Sequence, residues 1–192
     1  IFDSSGNLVV TGYFTGQVDF DPNGGVVNLT SAVSSENFIS KFDTSGNLLW
    51  AKRIGGSGAD RGINIALDSD GNIYSTGYFN GTVDFDSSER VVSLTSSGSR
   101  DIFISKFDAS GNLIWAKRVG GNGDDRGISI AVDSLGNSYT SGYFSTTTDN
   151  LTGSIDFDPG DGSTNLTSTG GYDIFLLKLD PLGEVDAIGA RA

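Results

Sequence analysis

Apolar and polar residues alternate along this chain in short bursts, and the same bursts return in the same order. GISIAVD at 127–133 sets Ile128, Ile130 and Val132 on one face and the small Ser129 and Ala131 on the other, the period of two of a β-strand. DIFISKFD at 101–108 is apolar on both faces at its centre, as expected of a strand packed on both sides. NLIWAKRV at 112–119 and NIYSTGYF at 72–79 are rich in the β-branched and aromatic residues that strands favour. Between these bursts stand Asp-x-x-Gly-Asn turns: DTSGN at 43–47, DSDGN at 68–72 and DASGN at 108–112. There the aspartate can accept from turn amides while glycine tolerates positive φ, so the chain reverses tightly. A helical period appears nowhere.

The bursts form a tandem repeat. DSSGNLVVTGYFTGQVDFD at 3–21 returns as DSDGNIYSTGYFNGTVDFD at 68–86 and, stretched, as DSLGNSYTSGYFSTTTDNLTGSIDFD at 133–158. Asp3, Asp68 and Asp133 begin equivalent segments at a spacing of 65 residues, giving units 3–67, 68–132 and 133–192 of a single repeat domain, 1–192. The third unit carries seven extra residues between Phe144 and Asp156. Its ending has decayed to GEVDAIGARA, so no tryptophan answers Trp50 and Trp115. Four core strands plus a VDFD…VSLTS excursion per unit predict an all-β protein built as a β-propeller of about three four-stranded blades. A sandwich would alternate more sharply without needing identical units, and a β-solenoid would have shorter coils. Blades stacked face to face must each bury the same surfaces, which explains why the sequence repeats.

The phrases GYFNGTVDFD, DIFISKFDASGNLIWAKRVGG and DDRGISIAVDSLGNSYTSGYF resemble the bacterial β-propeller repeat family abbreviated SBBP. The resemblance covers nearly the whole chain. It implies tandem blades in a secreted or cell-surface protein, a parent propeller of seven blades, and no shared catalytic motif. The chain opens at IFD, aligned with the tail of a blade's inner strand, and lacks an initiating methionine. Three blades cannot close a ring with normal packing. The expectation is an open arc of a larger propeller, or closure by self-association of copies through uncovered blade faces.

Composition narrows the chemistry. A net charge of −12 repels nucleic acid, and apolar runs of only a few residues exclude membrane insertion as a helix. The chain has no cysteine and no histidine, which removes disulfides, thiolate sites, Ser-His-Asp triads and most zinc sites. Carboxylates remain. The pairs Asp19 and Asp21, Asp84 and Asp86, and Asp156 and Asp158 are the weak metal candidates, since Ca²⁺ takes oxygen ligands. The competing and favoured reading is a strand-end turn whose aspartates bond backbone amides or pair with Lys41, Lys106 and Lys178. No cofactor is expected beyond that possible Ca²⁺, and no catalytic residue is assigned.

GGSGADRG at 55–62 and GGNGDDRG at 120–127 lack the Gly-Lys-Ser/Thr ending of phosphate loops and read as links between blades. Asp60-Arg61 and Asp125-Arg126 are expected to form a charge network there. Trp50 and Trp115 could stack on sugars but sit mid-strand, where packing is the commoner role. The sequons at Asn28, Asn80, Asn150 and Asn165 carry little weight. The clearest departure from the repeat, STTTDNLTG at 145–153, is the first place to look for a specialised loop. The expected function is a non-catalytic extracellular or cell-surface scaffold presenting loops to a glycan, a protein or a surface. The alternatives are a propeller glycosidase or lyase using aspartates, and a calcium-binding surface repeat.

Overall fold

A computed structural model describes residues 1–145, 154–168 and 171–191. Every regular element among them is a β-strand. The first unit runs through β1 (Leu8–Phe14), the short hairpin β2 (Gln17–Asp19) and β3 (Asn28–Thr30), β4 (Glu36–Phe42) and β5 (Leu48–Gly56). The next set of strands is β6 (Arg61–Leu67), β7 (Ile73–Phe79), the hairpin β8 (Thr82–Asp84) and β9 (Ser93–Thr95), β10 (Asp101–Phe107) and β11 (Leu113–Val119). The last set comprises β12 (Arg126–Val132), β13 (Ser138–Ser145), the hairpin β14 (Ser154–Asp156) and β15 (Asn165–Thr167), β16 (Tyr172–Leu179) and β17 (Val185–Arg191).

The second and third sheets are four-stranded antiparallel meanders, β6-β7-β10-β11 and β12-β13-β16-β17. In the first sheet β1, β4 and β5 pair the same way, and only a bridge between Phe2 and Leu8 stands where the others have a first strand. These are propeller blades in an open arrangement. Each complete blade begins with the strand that opens at the arginine of Asp-Arg-Gly and ends with the strand of the tryptophan phrase or, in the third, with its tryptophan-free counterpart β17.

Stacking dominates the fold. All seven residues of β10 are buried. Phe103 and Phe107 pack toward Val9, Ile39 and Ile54 of the first sheet, while Ile102 and Ile104 pack toward Ile130, Phe175 and Leu177 of the third. Burying each such side chain stabilises the fold by about 2 kcal/mol, so the two faces of this one strand fix both neighbours. The phenylalanine of each Asp-Phe-Asp phrase joins these layers. Phe85 lies 5.7 Å from Phe79 and 5.3 Å from Phe103, and Phe157 lies 5.1 Å from both Phe144 and Phe175.

The sequence pattern does not show where the hairpins go. β8 does not extend its own sheet; Val83 and Asp84 pair with Gly56 and Gly55 of β5, so the second unit's hairpin clasps the outer strand of the first sheet. The backbones meet closely. A Cβ on Gly56 would lie 1.9 Å from the Thr82 carbonyl oxygen, and one on Gly123 would lie 1.8 Å from that of Ser145. The glycine-rich links are therefore dictated by backbone contact between successive units.

One strand departs from the expected alternation. Register shifts between Gly62 and Asn64 and between Gly127 and Ser129 place a bulge at the start of β6 and β12. The bulge takes Ile63 and Ile128 out of the core face and leaves them 39% and 41% exposed. Ile130 remains buried, so the single face expected for Ile128, Ile130 and Val132 is broken at its first member.

Gly56→Ala is expected to destabilise the chain by about 2–3 kcal/mol, because the new methyl must displace backbone rather than a side chain. Gly24→Ala, at a position with nothing within 4 Å of the built Cβ, is expected to change stability by less than about 0.5 kcal/mol. Denaturant unfolding of both variants checks the contrast.

Candidate functional site

The three Asp-x-Asp pairs are placed alike. The first aspartate of each closes its hairpin: Asp19 Oδ1 accepts from the amides of Asp21 and Val27 at 3.0 and 2.9 Å, and Asp84 Oδ1 from those of Asp86 and Val92 at 3.1 and 2.9 Å. Asp156 Oδ1 does the same with Asp158 and Thr164 at 2.9 and 2.8 Å. The second aspartate begins the following turn, accepting from Asn23, Ser88 or Gly160. Asp86 also pairs with Arg90 at 2.6 Å. Asp84 and Asp86 do line a polar cleft of about 390 Å³, but Lys52 and Arg53 line it too. A divalent cation would meet like charge there. Among the described residues no three acidic side chains are grouped so as to hold a metal ion.

The lysines pair elsewhere than with these aspartates. Lys41 bonds Asp3 at 2.9 Å, Lys106 approaches Asp68 at 3.8 Å, and Lys178 pairs with Asp186. Asp3 and Asp68 are turn aspartates. Asp3 Oδ1 takes the amides of Ser5 and Asn7 while Oδ2 takes the Asn7 side-chain amide. That side-chain bond and the Lys41 contact hold its carboxyl below the usual range. Asp43 and Asp133 are lowered in the same way, chiefly by Asn47 and Asn137.

The links between sheets carry the unusual electrostatics. Asp60 and Asp125 are 1% and 0% exposed. Asp125 accepts from the Gly121 and Ser145 amides at 2.9 and 3.0 Å, and Asp60 from the Asn80 amide at 3.3 Å. Burial pushes both carboxyls up to about 7. Beside each lies another buried acid, the one that opens the recurring phrase ENFISKFD or DIFISKFD. Glu36 is bound to Arg53 at 2.6 Å, and Asp101 to Arg118 at 2.5 Å. Burial raises Asp101 above the usual range as well.

The expected Asp-Arg network does not form between consecutive residues, because neighbours along an extended chain point apart. Asp60 and Asp125 turn inward to the link amides. Arg61 instead lies 4.1 Å over the ring of Tyr13, and Arg126 lies 4.8 Å over Tyr78 and 5.6 Å over Tyr143. Arg126 also holds Asp124 at 2.6 Å, and Arg100 binds the same carboxylate at 3.2 Å. Tyr172 stacks edge-on against Tyr143 at 4.9 Å. An arginine–tyrosine rim thus runs along one end of the stacked sheets. Its sequence signals are the recurring Tyr of GYF and Arg of DRG, which only the stacking of successive units brings together.

Trp50 and Trp115 pack between sheets, Trp115 donating its indole N–H to the Pro181 carbonyl at 3.1 Å. Asn28, Asn80 and Asn165 lie at or beside the hairpins. Residues 146–153 of the candidate loop, with Asn150, are outside the described residues.

Comparison with known proteins agrees with this architecture. Residues 49–83 and 114–143 match the family model described as the beta-propeller repeat, SBBP. Over 140 residues, 68% of the chain, the sequence is 34% identical to a WD repeat-containing protein, L264, of Acanthamoeba polyphaga mimivirus. Over 142 residues, 74% of the chain, it is 29% identical to the regulatory protein FlaEY of Caulobacter vibrioides. The matched regions span 10% and 14% of the lengths of these two relatives.

The raised carboxyls set a pH dependence. With folded values near 7 against 3.8 unfolded, Asp60 and Asp125 bind more protons when folded, so stability falls as pH rises from about 4 through 7. The lowered turn aspartates act oppositely, withdrawing stability below about pH 4. Wild-type protein is expected to lose on the order of 2–3 kcal/mol for each of the two groups between pH 5 and 8. The Asp60→Asn/Asp125→Asn double variant should lose less than half as much; equal slopes in denaturant titrations would refute the assignment. Chelation, in turn, is expected to leave the unfolding midpoint unchanged, and a large fall restored by Ca²⁺ alone would show that the Asp-x-Asp hairpins hold a cation.

Proposed function

We propose that this run of β-propeller blades is a non-catalytic scaffold of an exported or cell-surface protein, presenting the arginine–tyrosine rim to a protein or glycan partner. One observation carries the reading. The recurring aspartates are engaged in building the fold, as acceptors for turn, hairpin and link amides, and the paired acids of the links, Glu36 with Asp60 and Asp101 with Asp125, are closed from solvent and bound to arginines or amides rather than facing a cleft. The match to a propeller repeat and the similarity to a WD repeat-containing protein support a scaffold in the same direction.

The rim is the favoured surface because tyrosine and arginine supply large, rigid contact area and directed charge, and both are enriched at binding hot spots. Its most available point is Arg61. The second link reads Asp124-Asp125-Arg126, and Asp124 neutralises Arg126; the first reads Ala59-Asp60-Arg61, with no counterpart of Asp124. Arg61 therefore keeps its charge over the half-exposed ring of Tyr13. An anionic or aromatic group on the partner is the chemistry that this corner would take.

Screening the chain on glycan and protein arrays, beside a general glycosidase assay, tests the proposal. Binding without turnover is expected, with capture weakened about tenfold or more by Tyr13→Ala or Arg61→Ala. Polysaccharide turnover abolished by a single Asp→Asn change would replace the scaffold reading with the glycosidase one.

A further inference from the structure

The polar cleft of about 390 Å³ opens on β5, between the hairpin of the first unit and that of the second. Leu29 gives it an apolar patch, Lys52 and Arg53 give positive charge, and Asp84, Ser87 and Ser88 give carboxylate and hydroxyl oxygens. The same place recurs at the joint between the second and third sheets, where Lys117, Asp156 and Gly160 hold the positions of Lys52, Asp84 and Ser88. There the chain fills it. Glu184 Oε1 accepts from Lys117 Nζ at 3.1 Å, and Oε2 lies 3.0 Å from where a Cβ on Gly160 would stand. One carboxylate thus spans from the lysine to the hairpin turn.

At the first joint that carboxylate is missing. Asn112 takes the position of Glu184, and its side-chain amide donates to Asp108 Oδ2 at 2.8 Å within its own turn. Among the described residues Lys52 has no carboxylate partner, whereas Lys41, Lys106, Lys117 and Lys178 each pair with one. Arg90 widens the difference. It holds Asp86, the other acid of the cleft, at 2.6 Å and donates to the Leu113 carbonyl at 3.0 Å, while Gly162 stands at its place in the third unit. Exchanging Glu184 for Asn112 removes a negative charge, and exchanging Gly162 for Arg90 adds a positive one. The first cleft lacks an anion that the second supplies from the chain itself.

We propose that the first cleft binds a sugar acid, the uronate unit of an acidic glycan, with its carboxylate at the place that Glu184 fills in the second. The carboxylate accepts from Lys52 as Glu184 does from Lys117. An ion pair at a half-buried lysine contributes little by itself, so the neighbouring oxygens matter. Asp84 receives its two backbone amides on Oδ1, and Oδ2 accepts a ring hydroxyl, with the Ser87 and Ser88 hydroxyls beside it. The C–H face of the ring lies against Leu29. An acidic peptide fits less well, because its neighbouring carboxylates would face Asp84 and Asp86. The cleft shares no residue with the arginine–tyrosine rim, so binding at one is independent of binding at the other.

Titration of the chain with galacturonate and glucuronate, beside galactose and glucose, tests the assignment through backbone amide shifts. Shifts at Gly55, Ser87 and Ser88 are expected from a uronate and not from the neutral sugars. Lys52→Gln should weaken uronate binding about fivefold. Asn112→Glu, which installs the residue of the sister joint, should weaken it at least as much by occupying Lys52. Absence of these shifts with both uronates, equal shifts from the neutral sugars, or unchanged affinity in Asn112→Glu would overturn the proposal. Tighter binding of a tetraglutamate peptide than of either uronate would overturn the glycan in favour of an acidic protein segment.

Discussion

The contact on which this structure depends is backbone against backbone: a hairpin from one unit laid on the outer strand of the sheet before it. Hydrogen bonding between Val83–Asp84 and Gly55–Gly56 requires the chains to approach within strand spacing. The next turn of the link comes closer still, so that a single methyl at Gly56 or Gly58 would overlap a carbonyl oxygen. A unit must therefore offer a glycine-rich receiving edge to its successor and a hairpin to its predecessor. The third unit keeps this joint although seven extra residues precede its hairpin, since Ile155 still packs against Gly121, so what recurs is the contact and not the length of chain that leads to it.

The same demand distributes the side chains. In each Asp-Phe-Asp phrase the aspartates hold the hairpin shut while the phenylalanine between them enters the layer shared with the sheet's own second and third strands. Polar and apolar neighbours thus serve one hairpin from opposite faces. The buried acids of the links belong to this joint as well. Asp60 and Asp125 accept amides where the chain leaves one sheet for the next, at sites so closed that desolvation rather than a neighbouring charge sets their titration.

Strands and turns were legible in the sequence because their physics is local. The doubly apolar run in DIFISKFD and the Asp-x-x-Gly-Asn signature need only neighbours a few residues away, and both lie where expected. The hairpin's destination was not legible, since nothing within Val83–Asp84 distinguishes pairing inside its own sheet from pairing with the sheet before. The bulge that exposes Ile63 and Ile128 was hidden for a related reason: it answers the close packing of Gly62 and Gly127 on Thr11 and Thr76 of the preceding sheet. The rim escaped pattern reading too, as Tyr13 and Arg61 meet only across a joint.

In a repeat array, then, a residue present in every unit is explained by stacking, and a specific role is best sought where one unit breaks the pattern. Two described departures have opposite consequences. At Ala59 the first link lacks the carboxylate that Asp124 supplies in the second, which leaves the charge of Arg61 available at the rim. At Ala187 an indole is missing from a recurring joint, which leaves the outer face of the third sheet without the anchor that locks the other two. The first departure opens a surface to a ligand. The second makes the outer strands unequal, although they derive from one repeated unit.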